Sequence, residues 1–182
     1  MTSGLVCGRF QPPHNEHLEY WRAAKARCDF LWIGIVRPNV RDDQLGLDRG
    51  HRSMLLSNPM TYFERATLIR EILLEDGISG DSFACTPFPL DEPALLPDFV
   101  GTDVKVFTTI CDPWNIKKAE VLRAMGYQVD VLFERGESRI HGQAIRLAIG
   151  LGNDDWTSVV PPATVRAVRR LNLRERFLRR WT

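Results

Sequence analysis

Short apolar runs alternate along the chain with longer stretches in which apolar residues recur every three or four positions. Leu5 to Cys7 is the first short run and predicts a strand. A turn-rich stretch follows, then a helix from about His17 to Ala26 with Leu18, Trp21 and Ala24 on one stripe. Phe30 to Val36 (FLWIGIV) is apolar nearly throughout, as expected of a strand covered on both faces. A polar loop occupies Arg37 to Asn58. Thr61 and Glu64 then have the spacing of a capping box, in which hydroxyl and carboxylate satisfy the first orphan amides of a helix running to about Leu74. Phe83 to Phe88 and Asp103 to Thr109 read as the third and fourth strands. Asp112 before Pro113 marks a helix start that ends before Gly126, and Gln128 to Phe133 makes a fifth strand. The arginine-rich end, Arg166 to Arg180, reads as a terminal amphipathic helix with Val165, Val168, Leu171 and Leu173 inward.

Strands separated by helices imply a mostly parallel sheet covered on both faces, an α/β Rossmann-like doubly wound fold with a C-terminal helical segment from about 142 to 182. No repeat or linker divides the 182 residues, so a single domain is expected. In such folds ligands bind beyond the carboxyl ends of the strands, where the strand order reverses. The segment after the first strand is therefore the place to look for chemistry.

Composition narrows the partners. Twenty-four basic residues against 23 acidic leave a net charge of +1, which points away from dedicated nucleic-acid or membrane-surface binding. No apolar run approaches membrane-spanning length and no secretory pattern opens the chain, so a cytoplasmic protein is expected. Cys7, Cys28, Cys85 and Cys111 are scattered, as expected of buried, reduced thiols.

Gly8-Arg9-Phe10-Gln11-Pro12-Pro13-His14-Asn15-Glu16-His17 leads from the first strand into the first helix. A helix N-terminus presents free amides and a positive dipole end to an anion. His14 and His17, three residues apart, can project to one face and donate to phosphate oxygens, and Arg9 adds a forked cation. Two histidines at a helix start by themselves are more often surface residues or a satisfied pair; the apolar strand and Gly-Arg in front favour phosphate. Zinc would need more ligands than His51 and His141 supply, so no metal-ligating residues are assigned.

The stretch GRFQPPHNEH resembles the GRFQPxHxGH signature of the HxGH nucleotidyltransferase superfamily, in particular its archaeal-type nicotinamide-mononucleotide adenylyltransferase branch. Asn58 to Arg65 resembles that branch's NPFTxxER segment, Leu132 to Arg135 its LFxR stretch, and His141 to Arg146 its SGTxIR motif. Asp155-Trp156 through Val160-Pro161 resembles its DWxxLVP tail. The resemblance implies transfer of a nucleoside monophosphate, CMP or AMP, from CTP or ATP to a small anionic acceptor with release of pyrophosphate. It implies that His14, His17 and Arg146 are catalytic, and that Gly8, Arg9, Phe10, Gln11, Asp112, Trp114, Arg135, His141 and Gln143 bind the nucleotide. Mg²⁺ would be carried by the triphosphate, and a homo-oligomer is possible. Trp114 would either stack on the base or pack against a neighbouring helix.

Three departures bear on substrate. Glu16 replaces the signature glycine. His141 and Gln143 stand where the family has hydroxyls. Leu90 to Leu96 (LDEPALL) replaces the branch's DIxxNALW segment, whose asparagine and tryptophan hold nicotinamide. The loop from Arg37 to Asn58 is basic, and Arg41, Arg49 and Arg52 are expected to bind the acceptor; the rival reading is a solvated loop balanced by Asp42, Asp43 and Asp48. Transfer to a small phosphonate or phosphorylated metabolite in specialised metabolism fits these departures. Ordinary synthesis of NAD, with Trp114 or Phe99 reading the substrate, and a non-catalytic nucleotide sensor are the alternatives.

Overall fold

The structure is a computed structural model and describes residues 1–39, 58–134 and 140–178. Its strands are β1 (Ser3–Gly8), β2 (Phe30–Val36), β3 (Phe83–Phe88), β4 (Lys105–Ile110) and β5 (Val129–Glu134). All four pairings are parallel and the spatial order is β3-β2-β1-β4-β5. β1 is thus central, and chain direction across the sheet reverses between it and β4. The helices are α1 (Asn15–Lys25), α2 (Tyr62–Glu75), α3 (Leu96–Phe99), α4 (Pro113–Ala124), α5 (Gly142–Leu151), α6 (Pro162–Arg170) and α7 (Leu173–Leu178).

Side-chain alternation along β1 feeds two cores. Val6 joins Trp21 of α1, Leu68 and Ile72 of α2, and Ile145, Ala163 and Phe177 of the C-terminal helices on one face. Leu5 and Cys7 join Leu96, Val106, Leu122 and Tyr127 on the other. Both faces are covered, which explains the unbroken apolar run of β2. The sheet is a doubly wound Rossmann-like fold with C-terminal helices, as the alternation predicts.

Several boundaries and elements differ from expectation. β1 and α1 are longer than their apolar runs, because polar Ser3, Asn15 and Glu16 join them. β3 does not run directly to β4: a 3-10 turn at Pro93–Leu95 and the short α3 intervene, and they bury Leu96 and Val100. The expected continuous terminal helix is broken in two where Asn172 takes a left-handed φ of 48°. The break turns Leu173 and Phe177 back into the core; Val168 and Leu173 are buried, Val165 and Leu171 half-buried. Cys7 and Cys28 are buried, but Cys85 on edge strand β3 and Cys111 beyond β4 are only half-buried. Among the described residues, no helix is long and apolar enough to cross a membrane.

Candidate active site

A cavity of about 650 Å³ opens at the carboxyl ends of the strands. Its centre is the loop from Gly8 to His14, and its geometry begins with packing. Phe10 takes a positive φ of 52°, and its ring fills the space where a Cβ on Gly8 would stand, 2.7 Å away. Gly8 is thus required by a close approach of a side chain. Phe10 is buried, edge-on to His17 at 5.0 Å and to Trp21 at 5.2 Å.

The side-chain amide of Gln11 donates to the Met60 carbonyl at 2.8 Å and accepts from the Met60 amide at 2.9 Å. It reads the backbone before α2 as a neighbouring strand would. Phe10 and Gln11, both assigned to nucleotide binding from the motif, line the cavity but spend their side chains on building the loop.

His14 caps α1 and is 6% exposed. Its ring stacks on that of His17, centroids 3.6 Å apart, and both line the cavity. The His14 amide donates to Nδ1 of His17 at 3.2 Å. A nitrogen that accepts carries no proton, so the neutral His17 ring has its hydrogen on Nε2. Burial, then the neighbouring His14 and Arg9, hold the His17 pKa well below 6.5. His17 is therefore a neutral donor near pH 7.

Arg146 lies on α5 and donates from Nη1 to the Gln11 carbonyl at 2.9 Å. Burial, aided by Arg9, lowers its pKa to about 10, which leaves it charged near pH 7. Arg9, His141 and Gln143 complete this wall, His141 as the residue preceding α5. The opposite wall holds Asp112, which caps α4 by accepting from the Asn115 amide at 3.0 Å, and Trp114, 41% exposed. Trp114 does not lie in a helix–helix core; its ring faces Lys118, 5.8 Å from the centroid. Arg135, Arg41, Arg49 and Arg52 lie outside the described residues.

Glu16 lines the cavity, yet its Oε1 accepts from the Ile140 amide at 3.2 Å. The carboxylate that replaces the signature glycine thus joins the start of α1 to the chain leading into α5.

Residues not singled out from the sequence also matter. Arg65 is 0% exposed and donates to the carbonyls of Thr61 (3.2 Å), Arg9 (2.9 Å), Val36 (2.8 Å) and Arg37 (2.6 Å). It fastens the Gly8–His14 loop to the end of β2. Arg37, in a left-handed conformation at φ 53°, pairs with Asp91 at 3.1 Å on the cavity wall. Lys118 lines the cavity from α4. Arg65 was visible inside the NPMTYFER stretch, and Lys118 stands one helical turn after Trp114, a spacing that puts the two on one face.

A profile of the cytidylyltransferase-like family matches residues 5–146. A phosphonoformate cytidylyltransferase of Streptomyces viridochromogenes is 33% identical over 96% of this chain and 95% of its own length. A nicotinamide-nucleotide adenylyltransferase of Pyrobaculum arsenaticum is 28% identical over 97% of this chain and 93% of its own. Among solved structures, one from Vibrio parahaemolyticus has a TM-score of 0.59 at 14% identity, covering 96% of this chain and 97% of that one. A bifunctional NMN adenylyltransferase/ADP ribose pyrophosphatase from Francisella tularensis has a TM-score of 0.56 at 15% identity; this chain spans 42% of its length. At these identities the solved structures speak for the fold alone. With the family profile spanning most of a sheet whose central loop carries the paired histidines, the chain belongs to the cytidylyltransferase-like family and is a nucleotidyltransferase.

Proposed function

We propose that the protein transfers CMP from CTP to a small phosphonate carrying a second anionic group, and releases pyrophosphate. The observation that carries the acceptor assignment is the segment after β3. Leu96, at the position where the adenylyltransferase branch has its nicotinamide-stacking tryptophan, is 0% exposed in the core and absent from the cavity wall. What this segment gives the cavity is Asp91, joined to Arg37. An ion pair there offers charge recognition and no ring to stack on. The similarity to a phosphonoformate cytidylyltransferase points the same way.

In this reading a phosphonate oxygen attacks the α-phosphorus in line. The new P–O bond forms as the bond to the bridging oxygen of pyrophosphate breaks, and pyrophosphate leaves with that electron pair. No covalent enzyme intermediate is required, so the protein contributes positioning and charge neutralisation. His14 and the Nε2–H of His17 donate to oxygens at the reacting phosphorus, while Arg146 and Arg9 hold the leaving phosphates. The donor would enter as its magnesium complex, the ion supplying further charge neutralisation to the phosphates.

Pyrophosphate release measured over a grid of the four triphosphates against phosphonoformate, methylphosphonate and nicotinamide mononucleotide tests the proposal. CTP with phosphonoformate is expected to be the fastest pair. Turnover confined to ATP with nicotinamide mononucleotide would replace it with NAD synthesis. Triphosphate binding without turnover on any acceptor would favour a nucleotide sensor.

A further inference from the structure

Lys118 is 7% exposed and lines the cavity from α4. Its contact is the Trp114 ring; among the described residues no carboxylate pairs with it and no carbonyl accepts from it. The carboxylates of the cavity wall are committed elsewhere. Asp91 pairs with Arg37, Asp112 accepts from the Asn115 amide, and Glu16 accepts from the Ile140 amide. Two other groups nearby are neutral: burial raises the Cys7 thiol, with the Lys118 ammonium only partly opposing it, and burial keeps the Tyr20 phenol well above its ordinary value.

The ammonium reaches the cavity with three N–H donors, and an anion that enters there gains charge-assisted hydrogen bonds from it. The triphosphate is served by Arg9 and His14 of the loop, His17 of α1 and Arg146 of α5. A neutral base gains from the exposed face of Trp114, and its carbonyl offers a lysine a weaker partner than a carboxylate does. The remaining anion in the reaction is the acceptor, which presents one end to the α-phosphorus and needs a cation for the other. Resting on the proposed transfer to a small dianionic acceptor, we infer that Lys118 holds the acceptor's non-attacking carboxylate and so selects carboxylated phosphonates over simple ones.

The test compares the parent with Lys118→Met and Lys118→Arg by calorimetric titration of phosphonoformate, methylphosphonate and CTP, alongside steady-state KM values. In Lys118→Met, phosphonoformate affinity is expected to fall by about 10- to 100-fold, the usual worth of a charge-assisted hydrogen bond. Methylphosphonate and CTP affinities are expected to stay within about twofold, which also shows the variant folded; Lys118→Gln is the substitute if Met prevents folding. Lys118→Arg is expected to recover part of the loss. Equal phosphonoformate affinity in parent and Lys118→Met, a parallel loss for methylphosphonate or CTP, or no phosphonoformate binding by the parent would each overturn the assignment. Lysine-dependent phosphonoformate binding with no pyrophosphate release on any triphosphate would sink the transfer reading and leave the lysine assignment standing.

Discussion

His17 is held on three sides by rings, with His14 at 3.6 Å, Phe10 at 5.0 Å and Trp21 at 6.2 Å, and its Nδ1 is taken by a backbone amide. That leaves Nε2 as its remaining hydrogen-bonding atom. Nitrogen-detected NMR of the free protein is expected to show the Nε2–H tautomer and a titration midpoint well below 6.5. Adding triphosphate should move that midpoint up, because a nearby anion favours the charged ring. His17→Ala is expected to lower kcat by about 100-fold or more, as for loss of one oxyanion donor, with unchanged protein stability at pH 7.5 excluding collapse of the site. Both histidines and Arg146 were legible in the sequence because they sit at signature spacings. The side-chain roles of Phe10 and Gln11 were not, since packing under a ring and pairing with a backbone 49 residues away leave no local pattern.

The loop between β1 and α1 is where the proposed chemistry is placed, and a second element fixes its shape. Arg65, from the first turns of α2, gathers four carbonyls from three segments. Burial lowers its pKa to about 10, so it stays charged at neutral pH. Removing a buried, hydrogen-bonded charge leaves its partners unsatisfied, at a typical cost of about 3–5 kcal/mol. Arg65→Met is expected to lose about that much in urea unfolding. Arg65→Lys should lose less stability but still raise the KM for triphosphate, since an ammonium cannot span four acceptors. The regular elements were legible from periodicity and caps: the Thr61–Glu64 box and the Asp112 cap both form. The short α3 escaped because four residues carry no period, and the break at Asn172 escaped because the apolar stripe continues across it.

Across the whole molecule, the C-terminal helices are fastened to the sheet by charge as well as by apolar packing. Arg176 of α7 makes a two-pronged contact with Glu64, at 2.7 and 2.9 Å, while Glu64 also caps α2 through the Thr61 amide. Burial alone would raise the Glu64 pKa; Arg176 and Thr61 outweigh it and leave the value lowered. A carboxylate lowered on folding gives stability that is full above its unfolded value, near 4.5, and is lost as pH falls below it. His17, also lowered on folding, acts with the same sign over a higher window, from about 6.5 downward. Chemical unfolding is therefore expected to weaken in two stages on acidification. His17→Gln should flatten the upper stage and Arg176→Met the lower one. Fold class was legible because alternation and turn chemistry act locally. The Arg37–Asp91 pair on the cavity wall was not, because its members meet only through a parallel crossover.

The Gly8–His14 loop and the first turn of α1 are gripped from far along the chain. Arg146 donates to Gln11, Thr164 Oγ1 to Pro13 at 3.2 Å, Asn15 to Ser158 at 3.4 Å, and the Ile140 amide to Glu16. A growing polypeptide therefore makes this loop first and receives the fittings that set its shape last. Until the residues around 140–164 have emerged from the ribosome, the nascent chain carries both imidazoles without these four contacts, and any binding that depends on the loop's shape has to wait for them.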